Sequence, residues 1–127
     1  MLKAVAAFSG FSVKDITKAK EFYVGKLGLR LLDDKMGLQL ELPGAGQLFI
    51  YEKPDHWPAS FTVLNFVVED IDKTVDALIE QGVQFEHYDS VVMQDEKGIA
   101  RGKSVGQGPD IAWFKDPADN ILAVLMP

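Results

Sequence analysis

The chain has 127 residues, enough for one domain of ordinary size, and its 47% apolar and 25% charged residues are those of a globular protein that buries a core unaided. It contains no cysteine, which excludes disulfides, thiolate metal sites and a cysteine nucleophile and fits a reducing compartment. A net charge of −6, with guanidinium groups only at Arg30 and Arg101, leaves no basic face for a phosphate backbone, so no nucleic acid partner is expected.

The N-terminal stretch Met1–Phe11 is apolar but short and carries Lys3, unlike a secretory signal. No run approaches the roughly 20 apolar residues that span a bilayer. The expected location is the cytoplasm, with no membrane partner, and Ala4–Phe11 reads as a first strand. Asp15 stands where a helix N-cap belongs, and Ile16, Ala19, Phe22 and Tyr23 form an apolar stripe behind it. Strands are predicted at Leu29–Leu32, Leu38–Leu42 and Leu48–Glu52, separated by Asp33-Asp34 and by Pro43-Gly44-Ala45-Gly46. Pro54–Ser60 reads as a connector.

The pattern then repeats. An apolar run, Val63–Val68, precedes Asp70, a second N-cap, and Ile71, Val75 and Leu78 recur at helical spacing. Gly82 suits the left-handed position that ends a helix. Strands are predicted at Val83–Tyr88, Ile111–Lys115 and Ile121–Leu125, the last two joined by the turn Asp116-Pro117-Ala118-Asp119-Asn120. Between them Asp89–Asp110 is long and glycine-rich, and predicts a short hairpin or flap turning at Asp95-Glu96-Lys97-Gly98. Val13–Lys18 and Val68–Lys73 agree at four of six positions at an offset of 55. With the shared order of elements, this indicates an internal duplication into two β-α-β-β-β modules, about 1–53 and 61–127, of one domain.

Three phrases carry a family likeness. The first is Phe11-Ser12-Val13-Lys14-Asp15 leading into Ala19-Lys20-Glu21-Phe22-Tyr23 and Leu27-Gly28-Leu29. The second is Asn65-Phe66-Val67-Val68-Glu69-Asp70-Ile71-Asp72, and the third Ile111-Ala112-Trp113-Phe114-Lys115-Asp116-Pro117 with Asn120-Ile121-Leu122. In this order the sequence resembles the vicinal oxygen chelate superfamily, which includes glyoxalases, bleomycin- and fosfomycin-resistance proteins and extradiol dioxygenases. The resemblance implies an α+β fold, two βαβββ modules forming a cup-shaped, partly open mixed β-sheet with helices outside and a site enclosed by both modules. Its metal enzymes place His, Glu or Gln on the first and last strand of each module, donors that suit a divalent ion. Carried onto this sequence, those positions are Phe8, Val63 and Ala123, with Ile50 as the fourth, or Glu52 after a two-residue slip. Three or four of them are apolar, so no metal and no cofactor is expected.

A cup without metal is expected to be an apolar pocket with a few polar groups. Its expected ligand-binding residues are Phe8, Gly10, Ile50, Trp57, Val63, Asn65, Tyr88, Trp113 and Ala123, with Ser12 and Leu125 continuing the face; no catalytic residue is assigned. Asn65 would orient a ligand or satisfy backbone at a strand irregularity, and Trp113 would stack on a ligand or fill the core. Trp57 is placed at a rim, and Tyr88 either donates into the pocket or packs. His56 and His87 have no recognisable partner and read as surface histidines. The expected function is metal-free binding of an apolar or aromatic small organic molecule. A metal-dependent lyase, isomerase or dioxygenase and a ligand-free interaction domain stay open as alternatives, and with them the question of enzymatic activity. The resemblance, and free strand edges, also imply a homodimer.

Overall fold

The structure is a computed structural model, and it describes residues 1–89 and 94–127. The chain divides into two compact units, Met1–Trp57 and Pro58–Pro127. Both have the same strand topology, an open four-stranded mixed sheet with a helix between its first and second strands.

In the first unit the strands are β1 (Ser9–Val13), β2 (Arg30–Asp33), β3 (Leu38–Glu41) and β4 (Gln47–Glu52), in sheet order β1-β4-β3-β2. β1 runs parallel to β4, and the other pairs are antiparallel. Between β1 and β2 lies helix α1 (Ile16–Lys20). The Asp15 carboxylate caps it by accepting the Thr17 and Lys18 amides at 3.0 and 3.1 Å. α1 then widens into a π-helical turn, Glu21–Lys26, where the Leu27 amide donates to the Phe22 carbonyl at 2.9 Å. Adjacent Phe22 and Tyr23 are both buried on that turn. Against this segment lie alternate residues of the sheet: Leu38 and Leu40 of β3, Leu48 and Ile50 of β4, all essentially inaccessible to solvent. The Phe11 ring meets Tyr23 at 6.1 Å, and the Glu52 carboxylate accepts the Ile16 amide at 3.0 Å, which fixes the helix-facing parity of β1 and β4.

Two expectations need correction here. The first strand begins at Ser9, not Ala4, because its partner β4 begins at that level: Ser9 pairs with Leu48, and the preceding turn ends the ladder. Leu2 and Val5 are exposed. Ile50 does not share a face with Phe8. It lies with Leu48 beneath the helix, and Glu52 follows the same parity. Leu48-Phe49-Ile50-Tyr51 is apolar throughout, so alternation of polarity could not reveal which pair turns inward.

The second unit contains β5 (Thr62–Val67), α2 (Ile71–Glu80), β6 (Ala100–Arg101), β7 (Asp110–Lys115) and β8 (Ile121–Met126), in sheet order β5-β8-β7-β6. Again the first strand is parallel to the last. Asp70 caps α2 through the Lys73 amide at 3.0 Å, and Gly82 ends it at φ +90°. Ile71 and Val75 are buried with Ala112, Phe114, Leu122 and Val124, alternate residues of β7 and β8.

Val83–Tyr88 is not the strand expected. It makes one isolated bridge, Phe85 to Phe114, and the Glu86 amide donates to the Trp113 carbonyl at 2.8 Å. A side chain replaces the rest of the ladder. Gln94 Oε1 accepts the Tyr88 amide at 2.7 Å, and its Nε2 donates to the carbonyls of Glu86 (2.9 Å) and Gly98 (2.8 Å). The short β6 takes the sheet edge instead. The expected turn at Asp95–Gly98 is present: the Gly98 amide donates to the Asp95 carbonyl, and the Asp95 carboxylate accepts the Lys97 and Ile99 amides. Residues 90–93 of the expected hairpin or flap lie outside the described residues. No helix among the described residues is long and apolar enough to cross a membrane.

Candidate functional site

Each sheet has one face under its helix and one open face, and the side chains that could meet a ligand are on the open faces. In the first unit the open face of β4 carries Phe49 and Tyr51, and that of β1 carries Gly10 and Ser12, paired Gly10 to Phe49 and Ser12 to Tyr51. The Phe49 and Tyr51 rings stack with centroids 5.9 Å apart and planes 20° apart. Phe8, just ahead of β1 and 67% exposed, meets Phe49 edge-on at 6.4 Å. Two glycines make room for this arrangement. A Cβ on Gly10 would stand 3.0 Å from the Phe49 carbonyl oxygen. At Gly37 (φ +136°) it would stand 2.8 Å from the Ile50 carbonyl oxygen and 2.9 Å from the Phe49 ring.

Polar groups frame the rings. Ser12 Oγ and His56 Nδ1 are 2.6 Å apart, and the His56 amide donates to the Lys53 carbonyl at 3.0 Å. His56 is therefore half-buried and bonded to the face, where the sequence read as a surface histidine. Further along, Gln39 donates to Gln47 at 3.0 Å and Arg30 pairs with Glu41 at 3.1 Å. Trp57, at the end of this unit, is 88% exposed.

In the second unit the open face holds a row across three strands, Asn65 of β5 opposite Ala123 of β8 opposite Trp113 of β7. Asn65 is exposed, Trp113 half-buried and Ala123 fully buried. The Tyr88 ring meets Trp113 at 5.7 Å with planes 65° apart, and Lys115 lies 3.5 Å from the Glu86 carboxylate beside it. Burial pushes the Tyr88 phenol up from its ordinary value, and the Glu86 charge adds to this while Lys115 opposes it. Val63 is half-buried in an irregularity of β5, between Thr62 and Leu64. His87 is exposed.

The structure thus brings Phe8 and Gly10 to Phe49 in one unit, and Asn65, Ala123, Trp113 and Tyr88 into one neighbourhood in the other. Ile50 belongs to the core, and Val63 sits in the bulge. Phe49 and Tyr51 were missed by the sequence reading. The available signal was chemical: aromatic residues alternate with the aliphatic Leu48 and Ile50 along β4.

The register also makes Phe49 the counterpart of Ala123 in the other copy. Gly10 and Asn65 stand 55 residues apart in the two copies; Asn65 pairs with Ala123, and Gly10 with Phe49. Phe8, Phe49, Val63 and Ala123 offer no oxygen or imidazole donor. Among the described residues no group of three or more His, Asp or Glu side chains could hold a metal ion. The donor set does not fit a divalent cation.

A sequence profile described as the Glyoxalase/Bleomycin resistance protein/Dioxygenase superfamily matches residues 5–124. No curated protein matches the chain. Among solved structures, TnmS3, an antibiotic binding protein from Streptomyces sp. CB03234, is 27% identical with a TM-score of 0.68, the match covering 99% of both chains. A glyoxalase/bleomycin resistance protein from the same Streptomyces strain is 27% identical with a TM-score of 0.61, covering 94% of this chain and 99% of that one. A superfamily member from Sphaerobacter thermophilus DSM 20745, 22% identical with a TM-score of 0.66 over 97% of this chain and 98% of that one, shares the fold.

Proposed function

The chain belongs to the Glyoxalase/Bleomycin resistance protein/Dioxygenase superfamily, and we propose that within it the protein binds a small aromatic or apolar molecule of the antibiotic class without a metal. One observation carries this reading: the Phe49–Tyr51 stack with Phe8 at its edge, three aromatic rings together on an open sheet face. A flat ring system binds such a surface by burial and stacking, and each aromatic contact adds roughly 0.5–1.5 kcal/mol beyond the buried area. The likeness to the antibiotic binding protein TnmS3 supports the same class of ligand. The apolar residues at the four family ligand positions support a metal-independent mode.

The test is a thermal-shift screen of aromatic antibiotics, followed by calorimetry on each hit before and after dialysis against EDTA. Binding that survives the chelator and is lost in Phe49→Ala is the expected outcome. A stoichiometric bound transition metal whose removal abolishes binding would overturn the metal-free reading. In this proposal the working form is a homodimer, supported by the outer edges of β1 and β2 in one sheet and of β5 in the other, which have no partner strand among the described residues. Light scattering at micromolar concentration reads its mass. The absence of cysteine supports a cytoplasmic setting.

A further inference from the structure

Tyr88 carries a polar group that the fold leaves unused. Its ring lies against Trp113 on the open face of the second unit. Its hydroxyl oxygen is buried and has no hydrogen-bond partner among the described residues. Buried hydroxyls are almost always bonded, because a lost bond to water is not otherwise replaced. Here the neighbouring polar groups are committed elsewhere: Gln94 bonds the Tyr88 amide and the carbonyls of Glu86 and Gly98, and Glu86 faces Lys115.

We propose that the Tyr88 hydroxyl is the hydrogen-bond donor for a neutral acceptor oxygen on a small molecule held against Trp113 on the open face of the second unit, so that this ligand is an aromatic compound bearing a carbonyl group. This rests on the small-molecule reading above and names the chemistry that reading leaves open. The aromatic part follows from Trp113, whose half-buried indole packs against the Tyr88 ring on the same face. The donor role follows from the phenol itself. Burial and the nearby Glu86 charge both hold the phenol in its protonated form, so near neutral pH it has a proton to give. The neutral acceptor follows from the same two causes, because an anion would be desolvated there and would face Glu86. No hydrogen bond within the protein is broken when the acceptor arrives.

The experiment compares 2-acetylnaphthalene with 2-isopropylnaphthalene, two frames of the same size that differ in the carbonyl. Dissociation constants are measured for wild type and Tyr88→Phe, together with the urea midpoint of each protein free of ligand. Wild type is expected to prefer the ketone by roughly tenfold, the worth of one buried hydrogen bond. Tyr88→Phe is expected to lose that preference while its midpoint stays level or rises. If Tyr88→Phe keeps the preference, the proposal is wrong. A lowered midpoint without ligand would also overturn it, because the hydroxyl would then already be bonded in the free protein. Should neither compound bind wild type, the small-molecule reading fails and this inference with it; failure of the inference alone requires that both compounds bind.

Discussion

Arg101 grips Asp72 through both terminal nitrogens, at 2.7 and 3.0 Å, and reaches Asp95 at 3.0 Å with the same guanidinium. Asp72 is in the first turn of α2 and Asp95 opens the 95–98 turn, so one side chain ties the hairpin to the helix. Lys97 adds a contact to Asp76 at 2.8 Å on the same helix. A planar fork meeting a carboxylate edge-on is the geometry that makes such a pair worth more than an isolated surface contact.

This clasp should make stability fall in acid. The Arg101 hydrogen bond holds Asp72 below its usual range. At Asp95 burial pushes upward, but the Ile99 amide and Arg101 together outweigh it and the net shift is downward. Carboxylates lowered on folding stabilise the protein fully above their unfolded value near 4, and that contribution disappears as pH falls through the folded values. Arg101→Met is expected to cost about 1–2 kcal/mol at pH 7, a figure discounted because Asp72 is half exposed. The gap between variant and wild type should narrow below about pH 4. Urea titrations at pH 7, 5 and 3 check this, and a gap that stays constant with pH would show that the charges are not its source.

Gln94 offers a second test, one of specificity in the backbone. Its amide makes three hydrogen bonds that hold 86–88 and Gly98 together, and Gly98 sits so close that a Cβ would stand 3.1 Å from the Glu86 carbonyl oxygen. Gln94→Ala is expected to cost about 2–3 kcal/mol, since buried backbone groups lose their partners. Gln94→Glu should cost nearly as much, because a carboxylate can accept the Tyr88 amide but cannot donate to the two carbonyls. Equal stability of Gln94→Glu and wild type at pH 7 would refute this account.

Much of this architecture was legible in the sequence, and the reason differs by element. Asp15 and Asp70 cap their helices because capping is local chemistry that four residues specify. The 55-residue repeat appears again as two sheets of identical strand order. Where Val83–Tyr88 was expected to pair as a strand, the competing partner was a side chain eight residues beyond Glu86, and no periodicity reports that. On β4 the failure was one of parity. With four successive apolar residues, the face of Ile50 depended on the register against β1, a relationship between distant segments. The expectations for Phe8 and Ala123, by contrast, were counted from Asp15 and from the turn at Asp116–Asn120, local anchors that do not depend on a register between distant segments.

Gly37 should matter for the site more than its distance in sequence implies. Its backbone takes φ +136°, and the space a Cβ would occupy is filled by the Phe49 ring and the Ile50 carbonyl. Gly37→Ala is expected to displace the ring, lowering affinity for an aromatic ligand together with stability, the latter by at least ~1 kcal/mol from backbone strain alone. Near-ultraviolet circular dichroism of the variant would register the changed environment of Tyr51, which stacks on that ring. An unaltered spectrum with full affinity would show that the ring is not held by this contact.

The sharpest prediction sets Phe49 against Ile50, neighbours on β4 that face opposite ways. Ile50 is fully buried beside Leu48 beneath the helix, whereas Phe49 is half-buried with its ring on Tyr51. Ile50→Ala removes buried methyl and methylene groups from the core and is expected to cost about 2–5 kcal/mol. Its ligand affinity, measured under conditions where the variant is folded, should change less than threefold. Phe49→Ala removes a stacking partner from an open face, and a loss of about 1–2 kcal/mol of stability is expected. Its affinity for an aromatic ligand should fall at least tenfold, equivalent to about 1.4 kcal/mol. The two variants therefore separate folding from binding within one dipeptide. If Ile50→Ala abolished binding in the folded protein while Phe49→Ala left it intact, the helix-facing side of the sheet would be the ligand surface, and the assignment of the aromatic face would have to be abandoned.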